Sequence, residues 1–218
     1  IFTYFGIILI SIPIFWYLLS LSDPGSNAMT SVFHTLSAAT TTGFQFIDIT
    51  LLSDQGKFFL IILMLIGGTA FSTAGGIKVG RILLLLQKLT KKKFSADVTT
   101  RSISSVSSRY DHTYHGWEQK SSQHKEDKTL NEAVLVIILF ILTSIFTGIL
   151  LSIFSGQTFL NSMFESVSAL TTSGLSTGIT SLDAELGSKT LLIINMIIGR
   201  FEIIAVIYLF LEISKIRK

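Results

Sequence analysis

The sequence predicts an all-α integral membrane fold made of two tandem repeats. Each repeat holds a spanning helix, a short re-entrant helix and a second spanning helix, and the last helix of the first repeat breaks at a Gly-rich stretch. Three observations carry this prediction. Long stretches lack charge, the chain matches itself after a shift of 131 residues, and paired Thr/Gly segments follow helices too short to cross a bilayer.

The charge-free stretches come first. Apolar residues make up 49% of the chain and charged residues 14%, with a mean hydropathy of +0.62, whereas a soluble domain carries about 25% charged residues. Residues 1–22, 58–77 and 133–164 hold no charge, and 190–211 hold only Arg200 and Glu202. Each run reaches the roughly 20 apolar residues that cross a ~30 Å hydrocarbon core as a helix. Four spans are therefore expected. The chain opens on Ile1 inside an apolar run with no charged leader, which does not fit a signal peptide and predicts a portion of a longer protein. Cysteine is absent, which excludes disulfides and thiolate metal sites.

The charges that remain set the orientation. Residues 88–129 carry nine Lys and Arg against five acids, and Lys215, Arg217 and Lys218 close the chain. The opposite loops carry Asp23, Asp48, Asp54, Asp183 and Glu185 with only Lys57 and Lys189 as cations. Basic loops stay on the cytoplasmic side, so 89–129 and the C-terminus are expected to face the cytoplasm of a cell-membrane protein. The basic patch reads as a topology signal and a contact for anionic lipid, not as a nucleic-acid site.

The self-match organises the chain. At the 131-residue shift, Ser37-Ala38-Ala39-Thr40-Thr41-Thr42-Gly43 falls on Ser168-Ala169-Leu170-Thr171-Thr172-Ser173-Gly174 without a gap. Ile14-Phe15, Gly25, Phe33 and Gly56 fall on Ile145-Phe146, Gly156, Phe164 and Gly187, and Leu60, Ile62, Ile66 and Gly68 fall on Leu191, Ile193, Ile197 and Gly199. Such a register marks a duplicated unit. The expected divisions are 1–88, a basic Ser-rich linker at 89–129, and 130–218. Within each repeat, helices are expected at about 1–21, 27–40 and 56–88, and again at about 130–154, 158–171 and 187–216. Each repeat crosses twice, so both have one orientation.

The short helices point to chemistry. Irregular backbone at membrane depth survives only where protein buries it or where it lines a watery cavity. A helix C-terminus carries about half a negative elementary charge and favours a cation. The following residues supply successive carbonyls, and Gly43 and Gly174 can adopt the positive φ that turns them. Carbonyl rings of this kind replace the hydration shell of K⁺. A single copy would suit a helix cap equally well; two copies in one context favour a pore loop.

These residues resemble the Trk/Ktr/HKT potassium transporter family, whose subunits hold four M1–pore helix–M2 repeats around one pore. Two stretches carry the resemblance. One is the filter pair, Thr40-Thr41-Thr42-Gly43-Phe44 and Thr171-Thr172-Ser173-Gly174-Leu175. The other runs Gly67-Gly68-Thr69-Ala70-Phe71-Ser72-Thr73-Ala74-Gly75-Gly76-Ile77-Lys78-Val79-Gly80-Arg81. It is similar to the interruption that forms an intramembrane gate in the family's third repeat, and Gly199-Arg200-Phe201-Glu202 is similar to the fourth repeat's last helix. The chain then corresponds to repeats three and four. The resemblance implies K⁺ uptake, with the ion held at the filter only, by backbone of Thr41, Thr42, Gly43, Phe44, Thr172, Ser173, Gly174 and Leu175. It implies a gate built from Gly67, Gly68, Ser72, Thr73, Gly75, Gly76, Lys78 and Arg200, no covalent cofactor, a homodimer, and a cytoplasmic nucleotide-binding ring as regulatory partner.

Physical arguments bear on the gate independently. A helix over 56–88 would be about 50 Å long, and its five glycines between 67 and 80 each weaken a helix by up to about 1 kcal/mol. A helix-packing face of small residues is the alternative. Arg200 and Glu202, two apart, do not share a helix face. Arg200 is expected to project beneath the filter towards the gate, with snorkelling to the cytoplasm as the alternative, while Lys78 and Arg81 mark the inner membrane face. His34 and Glu165 occupy equivalent positions, and their exchange argues against a shared chemical role. His112, His115 and His124 fall in a solvated linker. No phosphate-binding, zinc-protease or serine-hydrolase motif appears, so no enzyme is expected. Two repeats cannot close a fourfold pore, so either the N-terminal half of the same protein or a second copy must complete it. Two other readings stay open: passage of Na⁺ or mixed cations, and a non-conducting membrane subunit that recruits a soluble partner through 88–129.

Overall fold

The computed structural model describes residues 2–22, 27–69, 72–98, 115–181 and 184–200. All regular structure among them is helical: α1 (Phe2–Ser22), α2 (Ala28–Ala39), a 3-10 turn (Ile49–Leu51), α3 (Asp54–Ile66), α4 (Val79–Val98), α5 (His115–Ser155), α6 (Phe159–Leu170) and α7 (Leu186–Arg200). The short helices α2 and α6 are each 12 residues long and start and stop at positions 131 apart. The local sequence explains the identical length: each ends where a Thr pair replaces the Ala or Leu that favours helix.

The Gly-rich break expected in the first repeat is present, and one boundary departs from expectation. The run 58–77 does not form one crossing helix, because α3 stops at Gly67 after 13 residues, about 20 Å of rise, and α4 resumes at Val79. Helix α5 begins at His115, inside the stretch expected to be linker, and is 41 residues long. Its added turns contain Glu, Gln and Lys, all good helix formers, and no Pro or Gly between Gly116 and Gly148. The remainder of the helix expected over 187–216, with Glu202 and the C-terminal cations, lies outside the described residues. Among the described residues, two helices, over Phe2–Leu21 and Leu130–Ser155, are long and apolar enough to cross a membrane.

The packing repeats as the sequence does. Helix α1 lies on α2 and α2 on α3; α5 lies on α6 and α6 on α7; α3 against α6 joins the two units. The joint holds two apolar clusters: Phe15, Leu60, Ile61 and Met64 of the first repeat pack with Phe164, Val167 and Leu175 of the second, and Ile77 packs with Val136, Phe140 and Leu170 where α4 meets α5. Phe15 and Phe59 stack with ring centroids 6.1 Å apart. Side chains on the outside are as apolar as those within: Phe2, Leu9, Tyr17, Phe146, Ile153 and Ile197 are all exposed. Hydrocarbon, unlike water, solvates such a surface without cost.

Helices α5 and α6 approach closely at Gly148, where an added Cβ would lie 3.2 Å from the Met163 Cα. Small residues at such crossings let helix backbones pack in lipid. Gly148→Leu should force the two helices apart and destabilise the protein by about 1–3 kcal/mol, the usual cost of overpacking, read as a lower melting temperature in detergent. An unchanged melting temperature would show that the crossing carries no load.

Candidate functional site

Each short helix ends in the same closed turn. Thr42 N donates to Ser37 O at 3.0 Å and Thr41 N to Ala38 O at 3.2 Å; Ser173 N and Thr172 N donate to Ser168 O and Ala169 O at 2.9 and 3.1 Å. This six-to-one and five-to-two pair is the Schellman motif, whose left-handed residue is usually Gly. Here it is Thr: φ is 53° at Thr41 and 52° at Thr172. A β-branched residue in that region is an outlier costing of order 1–2 kcal/mol, and such strain concentrates at functional sites. The sequence reading placed both threonines in the expected filter, but it assigned positive φ to the glycines and not to them. Its expectation for Gly43 and Gly174 holds, with φ at 77° and 91°.

The two loops meet. An added Cβ on Gly43 would lie 1.9 Å from Ser173 O, so backbone touches backbone there. Two residues further on, the Gln45 side chain donates from Nε2 to Ser176 O at 3.2 Å and accepts from Ser176 N through Oε1 at 2.8 Å. Gln45 and Ser176 are themselves equivalent by the 131-residue shift. The last expected filter residues diverge: Leu175 is buried in the joint between the repeats, whereas Phe44 is exposed.

Behind the loops, His34 and Glu165 do share a role, contrary to the sequence expectation. His34 Nε2 accepts from Phe46 N at 3.4 Å, with Nδ1 2.9 Å from Thr30 O. Glu165 Oε1 accepts from Thr177 N at 2.8 Å, and Phe46 and Thr177 are again equivalent positions. An imidazole nitrogen and a carboxylate oxygen look unlike in sequence but both accept at this reach.

The interruption between α3 and α4 packs directly against both loops. Gly67 and Gly76 have φ of 63° and 86°, and Lys78 has 72°. Ile77 N donates to Leu65 O at 2.9 Å and Val79 N to Gly68 O at 3.0 Å, folding the segment back on α3. The glycines answer to crowding more than to flexibility: an added Cβ at Gly75 would sit 1.9 Å from Thr171 O, and one at Gly67 2.1 Å from Gly75 O. Gly75 N also donates to Thr41 Oγ1 at 3.1 Å. One short segment thus touches Thr41 of the first loop and Thr171 of the second. Ala70 and Phe71 lie outside the described residues.

A cavity of about 200 Å³ opens beside this segment, lined by Ser72, Thr73, Lys78, Arg81, Thr172 and Arg200 among others. Arg200 Nη1 donates to Thr73 O at 3.3 Å across 127 residues of sequence. The chain can pass so close because Gly199 lacks a Cβ, which would fall 1.8 Å from Leu170 O. The structure therefore brings Ser72, Thr73, Gly75, Gly76, Lys78 and Arg200 to one place, with Gly67 and Gly68 at its α3 end. Among the described residues lining the cavity, three are cations and none is an acid.

Comparison with known proteins agrees with this architecture. Residues 16–216 match the TrkH family of cation transport proteins. The chain is 36% identical over 185 residues to an uncharacterized cation transporter of Methanocaldococcus jannaschii, covering 83% of this chain and 35% of that protein. It is 28% identical over 213 residues to Ktr system potassium uptake protein B of Vibrio alginolyticus, covering 93% and 42%. With Ktr system potassium uptake protein D of Bacillus subtilis it shares 30% over 176 residues, covering 79% and 34%. The crystal structure of the potassium transporter TrkH from Vibrio parahaemolyticus shares its fold, with a TM-score of 0.64 at 22% identity over 95% of this chain and 43% of that one. The chain thus spans less than half the length of the relatives it matches. On the extent of the family match, the chain belongs to the TrkH family of cation transport proteins.

Proposed function

We propose that this chain supplies two of the pore-loop repeats of a potassium uptake pathway, each repeat an M1–pore helix–M2 unit. The carrying observation is the pair of strained, glycine-ended loops. They close two 12-residue helices in matching geometry and meet directly against the helix interruption. Helix C-termini favour a cation where these loops begin, and the loop carbonyls are suited to replacing water around K⁺. In this reading the filter backbone is that of 41–44 and 172–175, and the segment 67–78 is the gate beneath it. Three cationic side chains around the cavity raise an electrostatic barrier to a cation, as a closed gate should. Glycine at both 43 and 174 supports K⁺ over Na⁺.

The remaining pieces follow the same reading. The basic stretch 89–129 and the C-terminal cations face the cytoplasm, where a nucleotide-binding regulatory ring would dock. The missing repeats come from the rest of a longer protein, and two such subunits pair as a homodimer. The names of the Ktr relatives, which specify potassium uptake, support the choice of ion.

Growth of a bacterium without its own potassium uptake, at limiting K⁺ and carrying the complete gene, tests the filter. The intact gene should rescue growth, and Gly43→Ser should abolish rescue or shift preference towards Na⁺ by about tenfold, some 1.4 kcal/mol. Rescue indifferent to Gly43→Ser would make the loops helix caps and end the pore reading. Arg200→Ala tests the gate: removing the bond to Thr73 O should raise K⁺ flux per molecule severalfold, as loss of roughly 1 kcal/mol of closed-state hydrogen bonding implies. Flux equal to that of the unaltered protein would take Arg200 out of the gate.

A further inference from the structure

Glu165 does more than occupy the place of His34. It is buried, and its Oε1 accepts three bonds: from Ser176 Oγ at 2.5 Å, Thr177 N at 2.8 Å and Thr177 Oγ1 at 3.2 Å. All are accepted, which is the role of a carboxylate, and short hydrogen bonds to a charged oxygen are the strong ones. Ser176 is also the residue that exchanges two hydrogen bonds with Gln45 of the other loop. A continuous path therefore runs from α6 through Glu165 and Ser176 to Gln45, two residues past Gly43.

The far end of that path is held firmly. Next to Glu165, Ser166 Oγ bonds Thr147 Oγ1 of α5 and donates to Ser144 O at 3.0 Å, and Asn195 Nδ2 of α7 donates to Thr147 Oγ1 at 3.0 Å. The equivalent positions in the first repeat are Trp16, Thr35 and Met64, which cannot build this network. His34 in turn holds only Phe46 N, at 3.4 Å, near the weak end of the range. One loop is anchored beside a buried polar network; the other is held to its own helix by Ser37 Oγ on Phe44 O at 2.7 Å and by the Phe33 and His34 rings on Phe46, and is tied to the first by Gln45.

The geometry points to Glu165 as the positioning residue that sets the spacing of both loops, its own through Thr177 and the first repeat's through Ser176 and Gln45, and so determines ion preference. This rests on the reading of the loops as an ion filter. It makes the second repeat the reference frame against which Gly43 is placed, although neither Glu165 nor Ser176 belongs to the filter segments.

The test measures K⁺ over Na⁺ preference in vesicles containing the complete protein, per molecule inserted. Glu165→Ala should lower that preference about tenfold or more, the order that loss of one hydrogen bond to a charged group supports. Glu165→Gln, which keeps an acceptor oxygen, should recover part of it. Ser176→Ala and Gln45→Leu cut the path while leaving Glu165 bonded to Thr177 N; both should shift preference in the same direction, and they decide the matter if Glu165→Ala fails to insert. A merely structural Glu165 would reduce the amount of protein and leave the preference per molecule unchanged. Gly174→Ser separates the two layers. If it alters preference while the Glu165, Ser176 and Gln45 variants do not, the positioning role is overturned and the filter stands. If none of these variants alters preference, both fall.

Discussion

Backbone polar groups at membrane depth find no water, and this constraint shapes everything around the two Thr/Gly loops. Each loop leaves its helix through a Schellman closure that occupies the last carbonyls of α2 and α6. Further carbonyls are taken by side chains: Tyr4 of α1 donates to Ala39 O at 2.9 Å, and Thr40 and Thr171 donate back to Leu36 O and Val167 O. Beyond the glycines, Phe46 and Thr177 are caught by His34 and Glu165. With both flanks satisfied internally, and Phe44 O taken by Ser37 Oγ at 2.7 Å, the carbonyls of 41–43 and 172–175 are left for another partner. That division of labour makes a cation site physically reasonable.

The same constraint explains the crowding at the helix interruption. A broken helix exposes amides and carbonyls, and here the break folds back on α3 through Ile77 and Val79 and reaches Thr41 through Gly75. Such close return requires backbone against backbone, which only residues without a Cβ permit at Gly67, Gly75 and Gly199. Glycine weakens helices, which predicts unwinding at the break. In the folded protein its lack of volume matters as much, because it lets one segment touch both loops and Arg200 at once.

The repeats share a frame and differ in how they are stiffened. The first relies on apolar contacts, with Phe15, Leu60 and Met64 fully buried; the second adds the Thr147, Ser166 and Asn195 network. Buried polar networks are costly unless satisfied and, when satisfied, specify one arrangement. That network lies on one side only, and the interruption and Arg200 sit where the two repeats meet.

Much of this was legible in the residues alone. The duplication, the lengths of α2 and α6, the positive φ of Gly43 and Gly174, the break after Ile66 and the meeting of Arg200 with the Gly-rich interruption all follow from register, charge and glycine placement, because each depends on local propensity or on the cost of charge in an apolar span. The continuation of α5 to His115 was hidden by its polarity, which resembles a linker until its helix propensity is summed. What only the tertiary structure decided is which residues of different repeats touch. Thr41 and Thr172 in left-handed backbone, the Gln45–Ser176 exchange, and the common task of His34 and Glu165 depend on distances across the interface between repeats. Hydrogen bonding there selects an acceptor at a given place, indifferent to whether a ring nitrogen or a carboxylate oxygen provides it, so the alignment of unlike residues concealed a likeness of geometry.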